Sequence, residues 1–306
     1  MSTAIDRYIY CTVKKHSTSF LENFRLNYSD TELVSDLDSI RNEIIRESLI
    51  RHQLESAKLS RLYIGTIGDT RSNSGLGSSS AFACALDLAL LNLQAPSQVL
   101  AEDIANRACN LEVNILKKPI GIQDQWATAF GGFNSYNISP NGIVEVNQVL
   151  LSDEQMNVLR NCMILVDTGI SRNSESITHS YSKPDGRQEE NLKEMHSLAK
   201  EIALELPNKS AEELPSFLGN NLNKTWRLKR ELHSTVATKQ IDKIYDQLIS
   251  FGCLGGKLLG AGGGGYILMI THPAELEKIT TRISLEGMLF DTPRPTTSGT
   301  EVLVRC

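Results

Sequence analysis

The sequence predicts an α+β protein of two domains, divided near residue 155 into 1–155 and 156–306. Three observations carry this. Short alternating strands and one wholly apolar helix crowd the first half. Long polar helices dominate the second. A glycine loop, KLLGAGGGGYILMI, then feeds an apolar strand near the end.

Residues 4–15 (AIDRYIYCTVKK) alternate as a strand through Ile5, Ile9, Cys11 and Val13. A polar helix is expected over 36–57 and a second strand over 61–67, ending in the turn-rich GDTRSNSG. The next helix is apolar nearly all round: Phe82, Leu86, Leu90 and Leu93 share one face, and Ala83, Ala85, Leu88 and Ala89 cover much of the rest. Such a helix is interior. Ser97 is read as the N-cap of a helix running to about Leu116, with Leu100, Ile104, Ala108, Leu111 and Ile115 on one face. KKPIG ends it. GIQDQWATAF forms a short helix stopped by Gly131 and Gly132, and FNSYNI and GIVEVNQV read as strands. NCMILVDTGI is a buried strand entering a loop, and helices are expected over 185–206, 210–232 and 238–251.

Composition excludes several classes. The 306 residues are 41% hydrophobic and 22% charged with a formal net charge of −5, so a general nucleic-acid binder is not expected. Six scattered cysteines without a CxxC pair suit a reduced, cytoplasmic protein, and the six histidines lack zinc-ligand spacing. The first 15 residues show no signal peptide. The longest apolar run, Ala81 to Leu91, is interrupted by Asp87 and falls short of the ~20 residues a membrane span needs.

Chemistry concentrates where SNSGLGSSS meets the interior helix. A helix start exposes backbone N–H groups and partial positive charge, and glycines let an anion approach the backbone. Gly75, Leu76, Gly77, Ser78, Ser79 and Ser80 therefore form a candidate phosphate site. The competing reading is a flexible loop before a capped core helix. Two other phosphate motifs fail: near Lys257 the GxxxxGK[ST] spacing is off by one, and the GxGxxG at Gly260, Gly262 and Gly265 precedes a strand instead of a helix.

Glu112 sits at the edge of its helix's apolar face, and Asp124 lies in the first turn of the next helix. Taken singly, the first reads as a salt-bridged boundary residue and the second as a complement to the helix dipole. Taken with the loop, Ser79 and Glu112 offer hard oxygens for Mg²⁺ and Asp124 offers a base.

GLGSSSA, GIQDQ and GAGGGG together resemble the GHMP kinase family, and the likeness covers nearly the whole chain. GIQDQWATAFGGFN, TGISRNSES and WRLKRELHS are most similar to its heptose 7-phosphate kinase branch and close sugar kinases. The resemblance implies the family's two-domain fold, an N-terminal domain like ribosomal protein S5 domain 2 and a ferredoxin-like C-terminal domain. It implies that residues 75–80 wrap the phosphates of ATP, that Ser79 and Glu112 ligate Mg²⁺, and that Asp124 deprotonates or orients the anomeric hydroxyl of a sugar. Gly169, Arg172, Gly262 and Gly263 would line the substrate, with Lys229 and Arg230 as weaker phosphate cations. Family members carry a first strand and a RISFxGGGTD-like turn, whereas MSTAIDRYIY resembles the segment just after that motif. Either the start lies further upstream or the chain is a truncated enzyme. The alternative function is a nucleotide- or sugar-binding protein without turnover, or a kinase for fucose or galactose.

Overall fold

The computed structural model describes residues 1–55, 61–71, 74–96, 98–170 and 185–305. Its elements begin with β1 (Ser2–Thr3), β2 (Ile9–Lys15), β3 (Phe24–Asn27), β4 (Thr31–Val34), α1 (Glu43–Glu55) and β5 (Leu62–Gly68). Then come α2 (Ser78–Gln94), α3 (Ala101–Cys109) with a π-helical continuation (Asn110–Ile115), α4 (Gln123–Phe130), β6 (Phe133–Ile138) and β7 (Val144–Gln148). The rest is α5 (Asp153–Arg160), β8 (Met163–Asp167), α6 (Gly186–Glu205), α7 (Leu214–Arg230), α8 (Lys239–Ser250), β9 (Gly255–Leu258), β10 (Tyr266–Ile270), α9 (Leu276–Leu285) and β11 (Phe290–Asp291).

These elements form two compact units that alternate along the chain. The first comprises Arg7–Ser72, Gly77–Gly131 and Ser298–Cys306; the second comprises Met1–Asp6, Asn73–Leu76 and Gly132–Thr297. Residue 155 lies within the second unit.

The first unit is built on a sheet of order β2-β5-β3-β4, antiparallel except for the β3–β5 pair. Period-two alternation turns Phe24 and Leu26 of β3, and Leu62 and Ile64 of β5, onto one buried face. Ile45 and Leu49 of α1, and Leu86 and Leu90 of α2, complete that core, each pair four residues apart. The other sides of α2 are covered as well: Ala83, Cys84 and Leu88 are buried. The interior helix expected from its all-round apolarity is therefore present.

Three local expectations change. The strand expected over 4–15 is regular only from Ile9, because Ala4 and Asp6 donate to Gly132 and Arg294 of the second unit. Ser97 lies outside the described residues, and α3 begins at Ala101 with Leu100 in the N-cap position. Its continuation is not α-helical: the Leu116 amide donates to Leu111, five residues back. One extra residue per turn rotates the following side chains, and Leu111 and Glu112 are both buried.

The second unit holds a sheet of order β11-β8-β10-β9, all antiparallel, and a smaller one of order β1-β6-β7. Every residue of β8 is buried, as its uninterrupted apolar run requires. Ile164, Val166, Ile267 and Met269 pack with Trp226 of α7, Tyr245 and Leu248 of α8, and Ile279 of α9. Asp185 and Gln188 cap the start of α6 reciprocally. Among the described residues, no helix is long and apolar enough to cross a membrane.

The five described cysteines, Cys84, Cys162 and Cys253 buried and Cys11 and Cys109 partly so, carry free thiols. Burial pushes the thiols of Cys11, Cys109, Cys162 and Cys253 up to about 12, and that of Cys84 well above its ordinary value. Thiols so strongly protonated are poor nucleophiles.

Candidate active site

In the first unit, α2 starts from Gly77, whose φ of +74° places it in the left-handed region favoured by glycine. A glycine N-cap brings no side chain to the helix start, so the first-turn amides depend on other partners. Ser78, Ser79 and Ser80 make that turn, and Ser78 Oγ lies 3.3 Å from Thr70 Oγ1.

Glu112 reaches this turn from the π-helical segment and is fully buried, at 0% exposure. Ser79 Oγ donates to its Oε1 at 2.5 Å and Ser80 Oγ to its Oε2 at 2.7 Å. Gln125 Nε2 donates to Oε2 at 2.6 Å, and Lys118 Nζ to Oε1 at 3.3 Å. Lys118 Nζ also donates to Ser79 Oγ at 3.0 Å. A carboxylate taken out of water needs this density of donors, since its desolvation is otherwise costly. Gln125 Oε1, also buried, has no hydrogen-bond partner among the described residues; the amide is turned by its donation to Glu112, since a carboxylate can only accept.

Asp124 stands in the first turn of α4, directly against Gly77. A Cβ built on Gly77 would lie 3.4 Å from Asp124 Cβ and Cγ and 3.5 Å from Oδ2. Two thiols secure the backbone on either side: Cys109 Sγ donates to Ile122 O at 3.8 Å and Cys84 Sγ to Gln125 O at 3.7 Å. Gly131, at φ +66°, closes α4 where the sequence anticipates a stop. Ser78, Ser79, Ser80, Glu112 and Asp124 are thus brought to one place within this unit.

In the second unit, Gly75 (φ +79°) lies against the glycine loop after β9. A Cβ on Gly260 would come within 2.7 Å of Gly75 Cα, and one on Gly265 within 2.5 Å of Ser74 O. The tight glycine turn is therefore a packing requirement. The Gly263 amide donates to Val236 O at 2.9 Å, and the Gly265 amide to Ile170 O at 3.0 Å. Gly262 (φ +116°) is pressed onto Val236. Gly169 (φ +67°) donates its amide to Asp167 Oδ1 at 2.9 Å. Arg172 falls outside the described residues.

The two weaker candidates for a phosphate cation both have partners within the protein. Lys229 is buried, and its ammonium donates to Leu258 O at 3.1 Å and Gly260 O at 2.5 Å, bracing the glycine loop from behind. Burial, with the charge of Lys257 nearby, brings its pKa down to about 7. Arg230 is paired with Asp242 at 2.8 Å.

Sequence reasoning passed over Lys118, Gln125 and the bracing function of Lys229. Gln125 had a signal, being adjacent to Asp124 in GIQDQ. Lys118 had a weaker one: a cation between two candidate carboxylates, in a segment that otherwise reads as a helix stop.

A family model described as the GHMP kinases N terminal domain matches residues 43–132, and one described as GHMP kinases C terminal matches residues 189–287. D-glycero-alpha-D-manno-heptose 7-phosphate kinase of Campylobacter jejuni is 28% identical over 291 residues, covering 90% of this chain and 82% of its own. Two solved structures are similar in fold. A D-glycero-D-manno-heptose 1-phosphate kinase from Bacteroides thetaiotaomicron has a TM-score of 0.72 at 19% identity, over 96% of this chain and 86% of that one. The mevalonate kinase of Methanococcus jannaschii has a TM-score of 0.73 at 20% identity, over 96% and 90%. The two-domain α+β architecture expected from the sequence is the one these proteins have.

Proposed function

The chain belongs to the GHMP kinases, and from that premise we propose that it transfers the γ-phosphoryl group of ATP to the anomeric hydroxyl of a sugar. The Campylobacter relative is named for D-glycero-α-D-manno-heptose 7-phosphate, and this phosphorylated heptose is the first candidate substrate here. The observation that carries the reading is the buried Glu112 bound to Ser79 and Ser80 at the glycine-led start of α2, with Asp124 against Gly77.

Residues 75–80 would receive the triphosphate, their backbone amides and serine hydroxyls meeting phosphate oxygens. The donor set near them suits Mg²⁺, because Glu112 and Ser79 supply only hard oxygen atoms. When bound, that ion neutralises charge on the β- and γ-phosphates. Asp124 accepts the proton of the sugar hydroxyl, whose oxygen forms the new bond to Pγ. The bond from Pγ to the β,γ-bridging oxygen breaks, and ADP leaves with that electron pair. Gly169, Gly262, Gly263 and Arg172 remain the proposed sugar-side residues.

An ADP-release assay with ATP, Mg²⁺ and heptose 7-phosphate, set beside galactose and fucose, tests the reading. Phosphorus NMR should place the new phosphate on the anomeric carbon. ATP binding with no sugar-dependent ADP from any of the three would instead identify a binding protein.

A further inference from the structure

Glu112 has no acceptor position left over. A carboxylate offers about four lone-pair sites, and here Oε1 takes Ser79 and Lys118 while Oε2 takes Ser80 and Gln125. The two oxygens best placed for a cation, Ser79 Oγ and Glu112 Oε1, are both already bonded to one ammonium.

That ammonium is delivered by a specific backbone path. After the π-helical turn, Lys117 adopts φ +54°, a left-handed conformation uncommon for a residue with a side chain. The Lys118 amide then donates to Glu112 O at 3.0 Å, and Ile120 donates back to Lys118 O at 2.9 Å. The turn folds Lys118 back over the carboxylate it follows by six residues. Its side chain keeps 18% exposure whereas Glu112 has none, so the ammonium sits on the solvent side of the pair.

We propose that Lys118 is an internal counter-ion holding the divalent-cation position between Ser79 and Glu112, and that it is displaced only when a metal–nucleotide complex arrives. The inference rests on the phosphoryl-transfer reading above. A divalent ion and an ammonium cannot share the same two oxygens, because like charges at contact distance repel. A metal ion alone must therefore evict Lys118 and leave its charge without a partner. A metal–nucleotide complex brings phosphate oxygens that accept the displaced ammonium. Metal binding is consequently coupled to nucleotide binding through this one side chain. Lys118 is a positioning residue before the metal–nucleotide complex binds and a phosphate ligand once displaced.

Mn²⁺ titration of the full chain, followed by electron paramagnetic resonance without nucleotide, tests this. Lys118→Gln keeps a hydrogen-bond donor toward Glu112 and removes the charge; it should bind Mn²⁺ at least ~10-fold more tightly than the unaltered protein, a coupling of the usual allosteric size. Lys118→Arg, which keeps the charge, should match the unaltered protein. With a non-hydrolysable ATP analogue present, the unaltered protein should take up Mn²⁺, and Lys118→Gln should bind the analogue more weakly. Equal Mn²⁺ affinity of the unaltered protein and Lys118→Gln without nucleotide would overturn the counter-ion proposal while leaving the kinase reading intact. Absence of Mn²⁺ uptake by both chains even with the analogue would overturn the metal assignment itself, and this proposal with it.

Discussion

Asp124 packs its carboxyl group against the α-carbon side of Gly77, so closely that a methyl group there would stand 3.4 Å from Asp124 Cγ. The residue that opens the interior helix and the residue proposed to take the substrate proton are thus fitted to each other. Gly77→Ala forces a side chain into the left-handed region, costing roughly 1–2 kcal/mol, while its methyl meets Asp124 only at ordinary contact distance. Relief of that strain shifts the start of α2, and a displacement of ~1 Å there should lower sugar-dependent kcat about 10- to 100-fold. Steady-state ADP release, beside a melting curve shifted only slightly, checks it.

Asp124→Asn keeps the shape and removes the proton acceptor. Sugar-dependent kcat should drop by about 10²- to 10⁴-fold, while titration calorimetry finds ATP affinity within a few-fold of the unaltered value. Full activity in this variant would remove Asp124 from the chemistry.

Asp87 is the charged interruption in the apolar helix, and its surroundings explain why it is tolerated. It is 3% exposed, accepts from His52 Nε2 at 2.8 Å and pairs with Arg107 Nε at 2.6 Å. Gln94 Nε2 lies 3.3 Å from His52 Nδ1, and Arg107 Nη2 lies 3.3 Å from His52 Nε2, so the ring is enclosed on both sides. Burial raises the Asp87 pKa, but the His52 and Arg107 hydrogen bonds and the Arg107 charge outweigh it and hold it below the ordinary aspartate value. A lowered folded-state pKa gives stability that is complete above the unfolded value and lost as pH falls through the folded one. Asp87→Asn should cost about 3 kcal/mol in urea unfolding at neutral pH, and its stability should decline less steeply below pH ~4.

Lys229 predicts a dependence on the alkaline side. Its folded-state pKa of about 7 lies far below that of an unfolded lysine, mainly through burial. Below pH 7 the charge is carried in both states and the burial cost stands in full. Between pH ~7 and ~10 the unfolded chain holds more protons, so stability rises with pH by up to ~1.4 kcal/mol per unit. Melting curves across that range should show the rise in the unaltered protein and a flatter profile in Lys229→Met.

The legible parts of the fold were those with length and period. The helix of α2 and the buried β8 announce themselves over many residues, and the glycine–serine loop, Glu112 and Asp124 are the residues from which the candidate site is read. β3 and β4 escape notice because FRLN and TELV are each four residues long, too short for alternation to register. The π-helical turn that sinks Glu112 leaves the spacing of apolar residues nearly unchanged, so it shows only in three dimensions. Lys118 is hidden by KKPIG, which reads as a helix stop. Lys229 looks like part of a basic, solvated helix end beside Arg227 and Arg230; what buries it is the β9 strand end and glycine loop, some thirty residues later in the chain.

The segment from Ser298 has one practical consequence. Thr300 donates to Thr128 O and Ala129 O at the end of α4, and Gly299 lies so close to Ala129 that it admits no side chain. The last turn of the helix bearing Asp124 is therefore clasped by residues that a cloning strategy would treat as a dispensable tail. Trimming the protein at Thr297, or fusing a rigid partner there, would loosen the mount of the proposed base while every residue of the proposed phosphate loop stayed in the gene.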